Sequence, residues 1–247
     1  MKEERYQKIM DLLSNGEYVK VETLSRELYV SMPTIRRDLT EMQKMGLVVR
    51  SHGGVVKKFE ENDGTSMYFR SGVNSGAKQR LADAAANMLK DNITIFVDES
   101  TTALRIISHI PNYKNIYLIT NSVSVLNLAI KYRINTYCLG GKLNYDCMSL
   151  HNLEAESVLD GFGIDIMFFS SSSITQNAYI ADYSEESTLL RRKALNVAQT
   201  KVFLCDSSKF EKSGTFILAP LSKADYVITD CPLPEKYGYD STKVIIV

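Results

Sequence analysis

The sequence predicts an α/β protein in two parts: a small helical N-terminal domain closed by a β-hairpin, then a larger Rossmann-like domain on a mostly parallel sheet. Three observations predict it. Residues 1–58 hold three short amphipathic helical segments and one apolar hairpin. From about residue 77 onward, seven short apolar runs alternate with helical stretches, as in repeated strand–helix–strand units. Several of those runs are continuously apolar, as strands are when both faces of a parallel sheet are covered.

Length and composition agree. The 247 residues suffice for a small domain plus a medium one, and 45% apolar with 23% charged residues is ordinary for a globular protein. No apolar run reaches the roughly eighteen residues of a membrane helix, and MKEERYQKIMDLL is too charged for a signal peptide, so a cytoplasmic protein with no membrane partner is expected. Cys138, Cys147, Cys205 and Cys231 form no C-x-x-C pair; no metal site, disulfide framework or cofactor is expected. The net charge of zero hides an asymmetry: residues 1–58 carry eleven Lys/Arg against eight Asp/Glu, the remainder eighteen against twenty-one. An acidic larger part would turn the basic small one toward a polyanion.

In chain order, residues 3–14 predict a first helix with Tyr6, Ile9, Met10, Leu12 and Leu13 on its apolar face, stopped by Asn15-Gly16. Val21–Leu28 predicts a second helix and Tyr29-Val30 a turn. A third helix starts at Ser31, a good N-cap, with Pro33 in its first turn, and ends near Met45 with Gly46 as C-cap. Leu24, Leu28, Ile35 and Leu39 would pack the second and third helices together. Leu47-Val48-Val49 and Gly54-Val55-Val56 read as two strands around Arg50-Ser51-His52-Gly53. This is a winged helix-turn-helix over 3–58, a DNA-binding arrangement. Thr34 and Arg36 are candidates for base edges, Ser31, Arg37 and Lys44 for phosphates, and Arg50 and His52 for contacts from the wing. Residues 59–76 are polar with few apolar positions and read as a linker to a domain over 77–247.

In that domain the predicted strands are 93–97, 116–120, 136–139, 166–170, 202–205, 226–229 and 244–247, and the predicted helices 77–89, 102–108, 122–132, 153–159 and 187–198. Polar loops follow several strands, where ligands bind in open α/β sheets. Ser100, Thr101 and Thr102 open one helix, and Asn121 and Ser122 the next, so their hydroxyls and free N–H groups could hold a phosphate. Lys209 offers a point charge, and Asp98 and Asp206 can accept from sugar hydroxyls.

The stretch VETLSRELYVSMPTIRRDLTEMQKMGLVVRSHGGVV resembles the N-terminal signature of the DeoR family of bacterial transcriptional regulators: a serine cap, T-I-R-R-D-L, a glycine-ended helix and R-x-H-G-G in the wing. Met32-Pro33 departs from a position where the family has a polar or acidic residue. The resemblance continues more loosely: Lys78 stands at the family lysine, Asp98–Thr102 at its Asp-x-Gly-Thr-Thr loop, and Thr120–Ser122, Gly140-Gly141 and Asp206–Phe210 at its other loops. It implies a second domain similar to sugar-phosphate isomerases that binds a phosphorylated sugar and thereby controls affinity for operator double-stranded DNA. It further implies a repressor of a carbohydrate-metabolism operon, working as a homo-oligomer, dimer or tetramer. Departures fall at Ser100, at the Ser170–Ser173 tract and at Asn177-Ala178-Tyr179, where the family has glycines. Two other readings of the second domain are an isomerase-like enzyme using Glu99, Glu185 or Glu186, and a scaffold without a ligand.

Overall fold

The computed structural model describes residues 2–13, 19–45, 47–51, 54–57, 67–152, 155–238 and 243–247. They form two compact units, Met1–Val73 and Asn74–Val247.

The first unit runs α1 (Lys2–Leu12), β1 (Val19–Lys20), α2 (Val21–Glu27), α3 (Met32–Lys44), β2 (Val48–Ser51), β3 (Gly54–Lys57) and α4 (Met67–Gly72). Its core joins Tyr6, Ile9, Met10 and Leu13 to Leu24, Ile35, Leu39, Met42 and Val48, with Leu28 packed at the margin. Leu12, expected on that face, is 41% exposed, because Leu13 already fills the last apolar position of α1. Along α3, residues 35, 38, 39 and 42 are buried, the i, i+3, i+4, i+7 stripe of an amphipathic helix. Ser31 sits at the N-cap but makes no capping bond; its hydroxyl pairs with Thr34 Oγ1 at 2.9 Å instead. Tyr29 makes the turn into α3 with φ 54°. The wing has three strands, not two, in the order β1-β3-β2, all antiparallel. The third comes from Val19 and Lys20, too short a run to read as a strand. Part of the stretch read as linker is helical: α4 buries Met67. Asn15-Gly16, Gly46, His52, Gly53 and Lys58 lie outside the described residues.

The second unit runs α5 (Ser75–Ala86), β4 (Thr94–Val97), a 3-10 helix (Ala103–Asn112), β5 (Tyr117–Thr120), α6 (Val123–Tyr132), β6 (Thr136–Cys138), β7 (Lys142–Asn144), β8 (Ser149–His151), α7 (Ala155–Leu159), β9 (Ile166–Phe169), β10 (Ser173–Ile174), β11 (Tyr179–Asp182), α8 (Glu185–Val197), β12 (Thr200–Cys205), β13 (Phe216–Pro220), β14 (Tyr226–Thr229) and β15 (Val244–Ile246). All seven strands read from the sequence join one parallel sheet in the order β15-β14-β12-β9-β4-β5-β6. The chain starts in the middle at β4, builds outward to β6, then returns through β9 to build the other way. The strand order therefore reverses between β4 and β9, which makes the crevice above their carboxyl ends the expected ligand site.

The inner strands bury both faces. Ile95, Val97, Leu118, Phe168, Val202 and Leu204 face a core with α5, the 3-10 helix and α6. Phe96, Ile119, Met167, Phe169, Phe203 and Val227 face a second core with α8. The predicted helix at 102–108 is a longer 3-10 helix burying Ala103, Ile106, Ile107 and Ile110, with Pro111, which has no N–H to donate, near its end. Two small antiparallel elements escaped the sequence: the hairpin β7–β8 and the sheet β10-β11-β13. Their strands of two to five residues carry too little pattern to be read.

Candidate nucleic-acid interface and effector site

The outer face of α3 is basic. Arg36, Arg37 and Lys44 are exposed beside Ser31, and Thr34 is half-buried. The helix is held from both sides. Arg5 of α1 grips the fully buried Asp38 through Nε–Oδ2 at 2.5 Å and Nη2–Oδ1 at 3.1 Å, and Tyr6 donates to Glu41 at 3.0 Å. From the wing, Arg50 Nη1 donates to Thr40 Oγ1 at 2.8 Å, and Thr40 donates to the Arg36 carbonyl at 2.8 Å. The wing arginine is thus tied to the middle of α3. His52 lies outside the described residues.

In the second unit, α5, α6 and α8 run back along the parallel strands, so their N-termini meet the carboxyl edge of the sheet. Lys78, in the first turn of α5, is 4% exposed, and its Nζ donates to Thr101 Oγ1 at 3.1 Å. Asp98 accepts from the Ser100 amide at 3.0 Å and the Ser170 amide at 3.3 Å. Ser100 Oγ accepts from the Ala103 amide, so it caps the 3-10 helix, and its φ is not positive; the glycine expected there is not needed for backbone conformation. Thr102 is buried beside it. Ser122 caps α6 by accepting from the Val125 amide, and Asn121 is fully buried. The hairpin β7–β8 closes over this loop: the Leu150 amide donates to Asn121 O at 2.8 Å and the Val123 amide to Met148 O at 2.8 Å. Gly140 and Gly141 lead into that hairpin, at φ 68° and 119°; a Cβ on Gly141 would stand 2.2 Å from the His151 carbonyl oxygen. Their work is to let the hairpin close.

Asp206 follows β12, two strands from β4. Rather than facing open space, its Oδ1 takes Asn74 Nδ2 at 2.9 Å and the Ser208 amide at 3.1 Å, which docks the start of α5. Lys209, half-buried in the same turn, makes no ion pair among the described residues. The hydroxyls of the Ser170–Ser173 tract are engaged within the fold: Ser170 donates to Leu204 O, Ser171 to Ser173 O, Ser172 to Asp182 Oδ1 and Ser173 to Ala181 O. Ala178 does take the left-handed conformation, at φ 57°, that a glycine would adopt without cost.

The sequence reading missed the centre of the site. Arg191 of α8, 3% exposed, spends its guanidinium on three carboxylates: Nε on Asp98 Oδ2 at 2.8 Å, Nη2 on Glu99 Oε1 at 2.8 Å and Nη1 on Asp182 Oδ2 at 2.7 Å. The available signal was its place one turn after Ser187 and three residues before Ala194, on the buried stripe of α8. Burial alone would lower the pKa of Arg191; the three carboxylates outweigh it and raise it. Burial, opposed by Arg191 and aided by Glu99, pushes the Asp98 carboxyl up to about 6. Burial also works against ionised Glu99, but Arg191 prevails and holds it below the usual range. The two carboxylates share one guanidinium, so the upward shift belongs to the pair. Glu185 and Glu186 are exposed in the first turn of α8, where they complement the helix dipole.

A winged helix-turn-helix and a doubly wound sheet with a buried polar cluster at its switch point define a DNA-binding protein with an α/β second domain. Known proteins agree. The DeoR-like helix-turn-helix domain matches residues 5–59, and the DeoR C-terminal sensor domain matches residues 73–231. The L-fucose operon activator of Haemophilus influenzae is 31% identical over 213 residues, covering 86% of this chain and 85% of that one. The glycerol-3-phosphate regulon repressor of Escherichia coli is 25% identical over 232 residues, covering 94% and 92%. Among solved structures, ribose 5-phosphate isomerase A of Methanocaldococcus jannaschii aligns over 56% of each chain at 20% identity and a TM-score of 0.43. The chain belongs to the DeoR family: it is a DNA-binding transcriptional regulator. Among its described residues, no helix is long and apolar enough to cross a membrane.

Proposed function

We propose that the protein represses a carbohydrate-metabolism operon by binding operator DNA through α3 and the wing, and that a phosphorylated sugar at the β4–β9 switch point releases it. The observation that carries the effector reading is Lys78: a buried ammonium 3.1 Å from Thr101 Oγ1, where the Asp98–Thr102 loop leaves β4. An ammonium at the carboxyl edge of the sheet supplies a point charge for a phosphate. The N-termini of α5 and α6 add N–H groups and positive dipole ends. Thr34 and Arg36 would read base edges, and Ser31, Arg37, Lys44, Arg50 and His52 would hold the backbone. Two copies would place their α3 helices in successive major grooves, about 34–36 Å apart, so a modest rearrangement of the pair on effector binding would break the fit.

A pure regulator is favoured over an isomerase because Glu99 is held by Arg191, and Glu185 and Glu186 lie exposed in the first turn of α8. The test is selection of a binding sequence from random duplexes by the full chain, followed by titration of that complex with sugar phosphates. Release by one compound, with stabilisation of the free protein by roughly 2.7 kcal/mol at a hundredfold excess over Kd, is the expected result. Equal binding to all duplexes would remove the operator reading; turnover of a sugar phosphate, abolished in Glu99→Gln, would make the protein an enzyme.

A further inference from the structure

Among the described residues of the first unit, three large apolar side chains are exposed: Leu12, Tyr29 and Met32. Leu12 lies at the end of α1. Tyr29 and Met32 flank Ser31 at the entry to α3, and Pro33 beside Met32 is exposed as well. That entry is held in place. Tyr29 turns the chain at φ 54°, the Val30 amide donates to the Ser25 carbonyl at 3.1 Å, and Ser25 Oγ donates to the Val30 carbonyl at 2.6 Å. The Ile35 amide donates to the Ser31 carbonyl at 3.0 Å, so Met32 is the first residue of a formed helical turn.

The first turn of α3 is poor in groups that bond a phosphate. Pro33 has no N–H, and the hydroxyls of Ser31 and Thr34 pair with each other at 2.9 Å. The turn presents the Met32 chain and the Pro33 ring instead. The other exposed residues of α3 are Arg36, Arg37, Thr40, Gln43 and Lys44, three of them cationic and none acidic. The acidic residues of α3, Asp38 and Glu41, are bonded to Arg5, Tyr6 and Lys2 of α1. Met32, Arg36 and Thr40 form one row, each a helical turn from the next, outside the buried stripe of residues 35, 38, 39 and 42. Side chains on a helix lean toward its N-terminus, so Met32 leads that row.

We propose that Met32 reads thymine: its side chain packs on the C5-methyl group of a thymine in the major groove, next to the base that Arg36 contacts. This rests on the reading of α3 as the DNA-facing helix and adds a specificity-determining residue that forms no hydrogen bond to a base. A cationic face with an apolar leading end fits a polyanion whose groove carries apolar groups. Thymine alone adds a methyl group to the hydrogen-bonding atoms of the major-groove base edges. A thioether is a weak acceptor and no donor, so it gains little from the other three bases. Its unbranched, flexible chain follows an irregular apolar surface. A lipid surface would need an apolar stripe along the whole helix, and α3 has exposed apolar residues only in its first turn.

The test starts with a duplex selected from a random pool by the full chain. It is synthesised with thymidine throughout and again with deoxyuridine at each thymidine in turn, which deletes the methyl group and keeps every hydrogen-bonding atom. The wild type should lose about threefold to fourfold in affinity per methyl group at one or two positions. At those positions Met32→Ala should bind the two forms equally, and Met32→Leu should restore the difference; comparing the variants across both duplexes isolates the pairwise effect. The slope of log affinity against log salt should be the same in all three proteins, because no charge changes. Met32 is exposed in a first turn where alanine is a good helix former, so Met32→Ala keeps the fold. Arg37→Ala, run alongside, should weaken binding to all duplexes and lower the slope by about 1. An undiminished thymidine preference in Met32→Ala, or a wild type that nowhere distinguishes the two nucleotides, would overturn this inference alone. Wild-type binding by Arg37→Ala, or recovery of no preferred duplex, would overturn the DNA reading of α3 and this inference with it.

Discussion

Arg5 and Asp38 form a two-bond ion pair between the first helix and the recognition helix, with the Asp38 side chain fully buried. A carboxylate in that position is tolerable only while its partner is present. Removing one member of a buried pair costs about 3–5 kcal/mol, and the 21% exposure of the Arg5 side chain places the loss toward or below the lower end. Arg5→Ala should therefore unfold the N-terminal unit at clearly lower urea, followed by far-UV circular dichroism. Adding Asp38→Leu should recover much of the loss; a double variant as unstable as the single one would show that the pair is not the cause.

Thr40 connects the wing to the same helix by accepting from Arg50 and donating to the Arg36 carbonyl. Thr40→Val keeps the shape and removes the acceptor. Binding to all duplexes should weaken several-fold while the salt dependence stays, because Arg50 keeps its charge and loses only its position. Arg50→Ala should weaken binding and also reduce the slope of log affinity against log salt by about 1. Identical slopes for the two variants would count against a phosphate contact by Arg50.

Ala178 holds a left-handed conformation, φ 57°, in the turn between β10 and β11. The Cβ there costs roughly 1–2 kcal/mol, part of which glycine gives back through a more flexible unfolded chain. Ala178→Gly should stabilise the second unit by about 1 kcal/mol, or some 2–4 °C in Tm for a unit of this size. A lower Tm would contradict the backbone assignment.

The Asp98 carboxyl, at about 6 in the folded protein against 3.8 when unfolded, gives the second unit a pH signature. Between those values the folded state binds more protons than the unfolded state, so this contribution to stability falls as pH rises through the window. Glu99, held low, acts in the opposite sense, with stability lost only on acidification through its own folded value. Asp98→Asn cannot titrate, so its stability relative to wild type should improve between about pH 4 and pH 6.5, measured by urea midpoints. Parallel profiles would exclude Asp98 as the titrating group.

The legible parts of this protein are those where a local rule fixes the outcome. The α3 stripe at 35, 39 and 42 can be read because a helix repeats every 3.6 residues, and Pro33 can stand only near its start. The seven parallel strands can be read because continuous apolar runs such as Ile166–Phe169 bury both faces. Their loops mark the carboxyl edge, where Asp98, Thr101 and Asn121 stand, whereas Lys78 is legible only through the family resemblance. The opposite holds for Ser170–Ser173. Four adjacent hydroxyls look available in a sequence, and the fold turns each onto an acceptor of its own.

The sequence by itself determined the winged helix and the parallel sheet with polar loops at its carboxyl edge, because period and strand polarity are local properties of the chain. Only the tertiary structure decided which charges are buried together. Arg191 lies 93 residues from Asp98, 92 from Glu99 and 9 from Asp182, and beside the exposed Arg192 it looks like any helix arginine. Whether such a side chain meets water or three carboxylates depends on the packing of α8 against the switch point. That packing holds Glu99 to Arg191 through Oε1.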